Sequence, residues 1–344
     1  MPPLSHPYFS CGQIAARLPV TRLKALVQSA SEQRQLAKAQ SLAPEFSKLN
    51  EDQQEWLLFS KLFRALGYGG WQDAFERLAE ATPLTWVRQT LALPLGNQRL
   101  LGRWAGNLGL LQEGVSHWQP TCQSWGQGLL AHAGQPLNPL PEAVAHPQGR
   151  PQNHPLRRLS GMVHHLEATQ HQGLLKTWLK LLWEAEPALG QPQGLKQVQD
   201  QVAGLFPNPP QNPLTQVLTP KTKKIGQQPL TLIGPERQRV LLVNAVIPFF
   251  LAYALAKNDR GLEKTLFGLF LLLPCEGENH KTLAMEARLL PNVRGWGRKG
   301  LSYAQGLIQL YEDWCGPEPT CQGCGLLRLL QSEHGAGADI GKQL

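Results

Sequence analysis

Asn50-Glu-Asp-Gln-Gln-Glu-Trp56-Leu-Leu-Phe59-Ser-Lys-Leu62-Phe63-Arg-Ala-Leu66-Gly67-Tyr-Gly-Gly70 is the stretch on which the fold turns. Its apolar residues at 56, 59, 62, 63 and 66 follow the spacing of one helix face, not the strict alternation of a strand. Asn50 or Glu51 opens this helix, and Gly67, with two more glycines behind it, closes it. Working outward, Leu23, Leu26 and Val27 begin an earlier stripe of the same period. Thr82-Pro83-Leu84 has the form of an N-cap with proline in the first helical position. Residues 20–112 therefore read as successive helices.

Composition points the same way. The 344 residues include 61 Leu against 13 Val and 6 Ile. That bias favours side chains that lose little rotamer freedom in a helix over β-branched strand formers. A hydrophobic share of 42% excludes disorder as the main state. The expected fold is mainly α and multi-helical, with helix-rich halves at 1–132 and 156–331 and a Pro/Gly-rich linker or surface loop at 133–155. A cysteine loop is expected at 315–324 and a flexible tail at 332–344. Leu156–Trp183 reads as one buried helix, and 187–235 as a Pro-rich stretch with a short helix near 195–206. Further helices are expected over 237–256, 261–273 and 301–314. The longest apolar run, Val240–Ala256, is interrupted by Asn244 and Pro248 and reads as a core helix, not a membrane span.

Lys+Arg 33 against Asp+Glu 25 leaves a formal charge of +8, which favours polyanionic partners such as nucleic acid. No basic segment followed by an apolar one opens the chain, so a cytoplasmic location is expected and the six cysteines are expected as thiols. Three of them form Cys315-Gly-Pro-Glu-Pro-Thr-Cys321-Gln-Gly-Cys324-Gly325. Two thiolates separated by two residues can grip one ion, and the following glycine frees backbone N–H groups to bond sulfur. The spacing is similar to three of the four ligands in the iron–sulfur loop of endonuclease-III-type glycosylases. The local fourth cysteine is missing, and Cys11, Cys122, Cys275 or His334 would have to supply a ligand. Zinc is expected ahead of an iron–sulfur cluster, because zinc accepts more arrangements of such ligands.

Three other groups carry chemistry. Arg150, Arg157 and Arg158 surround Pro151 and Pro155 before a helix; they suit an anion near the helix N-terminus, or equally a structural cap. Glu276, Glu278 and His280 would suit a divalent metal or acid–base work, yet no second carboxylate cluster completes a site, and the segment reads better as a solvated loop. His164, His165, Glu167 and His171 share a helix without the i,i+4 spacing of a zinc pair, so a partly exposed polar face is expected. Basic loops at Lys221, Lys223, Lys224, Arg237, Arg239, Arg294, Arg298 and Lys299 would form a nucleic-acid track only if they cluster in space. No Walker-type loop, dinucleotide fingerprint, zincin motif or nucleophile elbow occurs in a usable context, so no catalytic residue is assigned.

The order of several segments resembles a bacterial family, the domain of unknown function 2851. These are Cys11 with the basic first helix, Phe63-Arg-Ala-Leu-Gly67, Arg150-Pro-Gln-Asn-His-Pro155-Leu-Arg157, Val243-Asn244-Ala-Val-Ile-Pro248, Ser302-Tyr-Ala-Gln305-Gly-Leu-Ile-Gln309-Leu310 and the closing cysteines. The resemblance implies Cys11 as the fourth ligand beside Cys315, Cys321 and Cys324. Longer members of that family carry a β-rich, nuclease-like domain whose GPDF and VEIH signatures do not occur here, so the resemblance is to the helical portion alone. It implies a non-catalytic helical module that binds nucleic acid or a nuclease-like partner. A metal-dependent hydrolase working through Glu276, Glu278 and His280, or a vestigial fragment, is the alternative.

Overall fold

The computed structural model describes residues 10–137, 151–222, 228–275, 279–290, 300–316 and 321–340. Among them all regular structure is helical, apart from one isolated antiparallel bridge between Pro274 and Gly300. In chain order the helices are α1 (Ser10–Ala15), α2 (Val20–Phe46), α3 (Glu51–Leu66), α4 (Gln72–Glu80), α5 (Leu84–Leu91), α6 (Gly96–Asn107) and α7 (Pro120–Leu130). After the segment at 138–150 come α8 (Pro155–Thr169), α9 (Leu174–Leu189), α10 (Gly194–Gly204) and α11 (Pro235–Lys257). The series ends with α12 (Arg260–Leu272), α13 (His280–Leu289), α14 (Leu301–Leu310) and α15 (Gly325–Ile340). The last of these runs into the stretch expected as a tail.

Two compact units form, one from residues 1–41 with 266–344 and one from 42–265. They follow contacts in space, not the linear halves 1–132 and 156–331.

The unit of residues 42–265 is built around α3. Asn50 caps that helix through a reciprocal box: its Oδ1 accepts the Gln53 N–H at 2.9 Å, and Gln53 Oε1 accepts the Asn50 N–H at 2.9 Å. The apolar face carries Phe59 and Phe63, 4.6 Å apart, and Phe63 meets the Trp104 ring edge-on at 4.9 Å. The Trp104 indole N–H donates to Thr82 Oγ1 at 3.2 Å, and the Thr82 hydroxyl donates to the Leu78 carbonyl at 2.6 Å. Thr82 is thus used inside the core, and α5 starts at Leu84 with Pro83 in the cap position, one residue later than expected.

Leu156–Trp183, expected as one helix, is two. The chain breaks after Thr169, turns at Gly173 with φ +84°, and restarts as α9 at Leu174, whose N–H donates to Glu55 of α3 at 2.6 Å. Apolar periodicity alone does not register a cap supplied from so far along the chain.

In α11 the residues Leu242–Val246 form a π turn just ahead of Pro248. A proline cannot donate to the carbonyl four residues back, here that of Asn244, and its ring crowds that carbonyl; the widened turn makes the room. With mean hydropathy 1.9, α11 alone among the described residues is long and apolar enough to cross a membrane by length and composition. It is 67% buried over that stretch, and Phe249 and Phe250 are fully enclosed.

The other unit packs α1, α13, α14 and α15 around Ala15, Leu23, Val27, Met285, Leu307 and Leu330. A side chain at Gly306 would put its Cβ 2.0 Å from the Val27 carbonyl oxygen, so this glycine lets α14 touch the backbone of α2. The neighbouring Gln305 and Gln309 accept from the Arg34 guanidinium at 3.1 and 3.0 Å, and Glu312 receives both Arg34 and Lys281. The Gln-Gly-Leu-Ile-Gln segment is therefore a helix-crossing device.

Candidate functional site

The four cysteines expected as ligands all lie in the unit of residues 1–41 and 266–344. Cys11 lies on α1, Cys315 ends the π turn Tyr311–Cys315 that follows α14, and Cys321 and Cys324 flank the turn that opens α15. Gly323 sits in that turn at φ +75°, a conformation that favours glycine, and the Cys324 N–H donates to the Cys321 carbonyl at 3.3 Å. Cys11 and Cys315 are buried in one apolar cluster, against which Cys324 packs. The Cys11 thiol donates to the Arg288 carbonyl at 3.6 Å. The Arg288 guanidinium in turn donates to the carbonyls of Cys315 and Gly316. One arginine thus ties α13 to the loop and, through its backbone, to α1.

Burial and the neighbouring thiols of Cys315, Cys321 and Cys324 push the Cys11 thiol up to about 11. Burial also raises Cys315, against the pull of Arg288. Two buried thiols that resist ionisation ionise readily only where a cation stands beside them. Among the described residues no three His, Cys, Asp or Glu side chains are yet gathered as metal ligands are. Residues 317–320 and the side chain of His334 lie outside the description. Cys122 is buried on α7, in the other unit, and Cys275 is half-buried after α12.

Arg157 and Arg158 bond to the protein's own backbone. Pro155 opens α8, and His154 Nδ1 accepts the Leu156 N–H at 3.2 Å. Arg157, 2% exposed, donates to the carbonyls of Leu214, Val217 and Thr231. Arg158 donates to the carbonyls of Asn153, Leu66 and Tyr68, each at 2.7 Å. Burial pulls both guanidinium groups down to about 10, which leaves them charged at neutral pH. Arg157 and Arg158 are thus bonded to backbone carbonyls, the structural of the two readings offered for them; Arg150 lies outside the described residues. Arg158 and Arg237 both stack on the Tyr68 ring, at 4.1 and 4.2 Å from its centroid.

Glu276 and Glu278 also lie outside the described residues. Their neighbour Asn279 caps α13, accepting the N–H groups of Lys281 and Thr282 at 3.0 Å, and His280 is exposed in the first turn. The histidines of α8 are not a solvent face. His165 is fully buried; its Nδ1–H donates to the Leu205 carbonyl at 2.8 Å, its Nε2 accepts the Trp178 indole N–H at 3.2 Å, and Phe206 stacks on the ring at 4.4 Å.

His164 belongs to a cavity that sequence reading missed. It pairs with Glu167 at 3.0 Å and points its other ring nitrogen at Asn212 Nδ2, 3.2 Å away. Asn212 Nδ2 also donates to Ser160 Oγ at 2.5 Å, and its Oδ1 accepts the Leu214 N–H at 3.1 Å. That last bond fixes the amide orientation, so Asn212 stands between the serine and the histidine and occupies the lone pair a general base would use. Asn212 falls in a Pro-rich stretch without period, and nothing local in sequence signals that it meets α8.

The profile of the family described as "Protein of unknown function (DUF2851)" matches residues 5–190, and the chain belongs to that family. No curated protein and no solved structure matches it.

Proposed function

We propose that this chain is a non-catalytic helical module that binds nucleic acid or a nuclease-like partner and closes its ends with one structural zinc ion held by Cys11, Cys315, Cys321 and Cys324. The observation that carries the reading is the burial of Cys11 in one apolar cluster with Cys315, against which Cys324 packs, both from the opposite end of the chain. Four thiolates supply the donor set of a structural zinc centre, and the glycine-bearing turn between Cys321 and Cys324 has the form of a metal knuckle. The metal would contribute folding free energy and no reaction. The amide of Asn212 between Ser160 and His164 supports the non-catalytic part, and the +8 charge supports the polyanionic partner.

Metal analysis of the purified chain tests the centre. One equivalent of zinc is expected, with Cys321→Ser losing it and melting at lower temperature while Cys122→Ser keeps both. A wild-type chain without zinc or iron, or a Cys321→Ser variant with unchanged metal and melting, overturns it. Binding of a labelled single-stranded oligonucleotide at several salt concentrations tests the partner: affinity should fall as salt rises.

A further inference from the structure

The cavity of about 110 Å³ at His164 continues outward into a wider depression, and Gln98, Trp125 and Gln211 line both. No Asp, Glu, Lys or Arg lines either. The walls offer hydrogen bonds of both senses: the amides of Asn97, Gln98, Gln211 and Asn212 and the hydroxyl of Ser160. Asn212 is already committed to Leu214, Ser160 and His164. The side-chain amides of Gln98 and Gln211 and the indole N–H of Trp125 bond to no other described residue. A cleft whose unengaged groups are two primary amides and an indole, with no charge to match, is built for a neutral ring that both donates and accepts.

We infer that this cleft seats one unpaired nucleobase of a single strand, edge-on to Gln98 and Gln211 and stacked on Trp125. A primary amide pairs bidentately with the donor and acceptor on a base edge, and an indole face stacks on any base. The chamber is somewhat smaller than the ~150 Å³ cavity known to hold a benzene ring, so a purine would seat partly in the wider depression outside it. The inference deepens the nucleic-acid reading above: the neutral cleft would recognise the base, and basic surface elsewhere would hold the phosphates.

Fluorescence anisotropy with a labelled dA12 strand, an abasic strand of equal length and a maltooligosaccharide, together with ligand-observed NMR of free adenosine, tests it on the full chain. The dA12 strand should bind about tenfold more tightly than the abasic one, the scale of one stacked base. Trp125→Ala and the milder Gln98→Ala should each remove most of that difference without altering the salt slope, in variants checked for wild-type melting. Equal binding of dA12 and abasic strands overturns the cleft and leaves the nucleic-acid reading standing. Adenosine binding that depends on Gln98, with no strand bound, overturns the nucleic-acid reading and keeps the cleft as a nucleoside site. Binding of the oligosaccharide in place of adenosine overturns the base assignment, and binding of no probe overturns both.

Discussion

Glu55 accepts the backbone N–H of Leu174 at 2.6 Å, a carboxylate of α3 closing the first turn of α9. The same carboxylate receives Arg88 at 2.6 Å. An anion there meets the positive end of a helix and satisfies a donor that has no partner within α9. Glu55→Ala should therefore destabilise the chain by about 2 kcal/mol, the scale of a lost cap with a charge-assisted bond. Glu55→Gln keeps an acceptor and should lose about half as much. Urea unfolding of the two variants checks the order.

Arg157 is the larger stake. Its guanidinium is enclosed and serves three carbonyls from two loops. Arg157→Met strands those acceptors and should cost about 3 kcal/mol or more, whereas Arg237→Ala, at a partly exposed stack on Tyr68, should cost about 1 kcal/mol. Chemical denaturation separates the two, and neither change should alter the salt dependence of oligonucleotide binding.

Gly306→Ala drives a methyl group into the Val27 carbonyl. Overpacking of this kind costs about 1 to 3 kcal/mol. Gly204→Ala, at the end of α10 where nothing lies within 4 Å, is the control and should be neutral or slightly stabilising. Thermal melting of both variants reads the contrast.

Stability should fall in mild acid. Burial, with only the Leu205 carbonyl opposing it, lowers His165 to about 4, and burial beside Arg158 and Arg157 lowers His154 to about 4. The unfolded chain takes up these protons below about 6.5, the folded chain only below about 4, so the unfolded state gains as pH drops through that window. Each histidine contributes up to about 3 kcal/mol of loss between pH 6.5 and 4, and none above 6.5. Urea midpoints measured from pH 7.5 to 4.5 should decline, and His165→Gln should flatten the decline.

Helices whose signals are local were legible. The Asn50 cap, the apolar face through Phe63 and the stop at Gly67 all lie within twenty-one residues, and α3 occupies that span. The break between α8 and α9 was not: its only local mark is Gly173, and the carboxylate that caps α9 comes from Glu55. The role of Arg157 and Arg158 was divided for the same reason: a cation beside a helix start reads alike whether it faces an anion or distant carbonyls, here from residues 214 to 231 for Arg157 and from Leu66 and Tyr68 for Arg158. The cleft was illegible because Ser160, Trp125 and Asn212 are ordinary in their own neighbourhoods. The cysteines were conspicuous by spacing, which named the residues of the closing loop without showing how near Cys11 would come.

The π turn in α11 has a geometric consequence. It holds one residue more than an α turn, so everything ahead of it is rotated by about 100° from where an uninterrupted helix would carry it. Residues 235–241 and 247–257 thus keep different azimuths within a single rod. Arg237 meets the Tyr68 ring at 4.2 Å only in that offset setting. Deleting one residue from 242–246 would return an ordinary α turn and leave Arg237 facing the ring, whereas winding all five residues as α helix would swing it about a quarter turn away. The asparagine and proline of this helix are in that sense a dial, fixing the heading of a side chain several residues upstream.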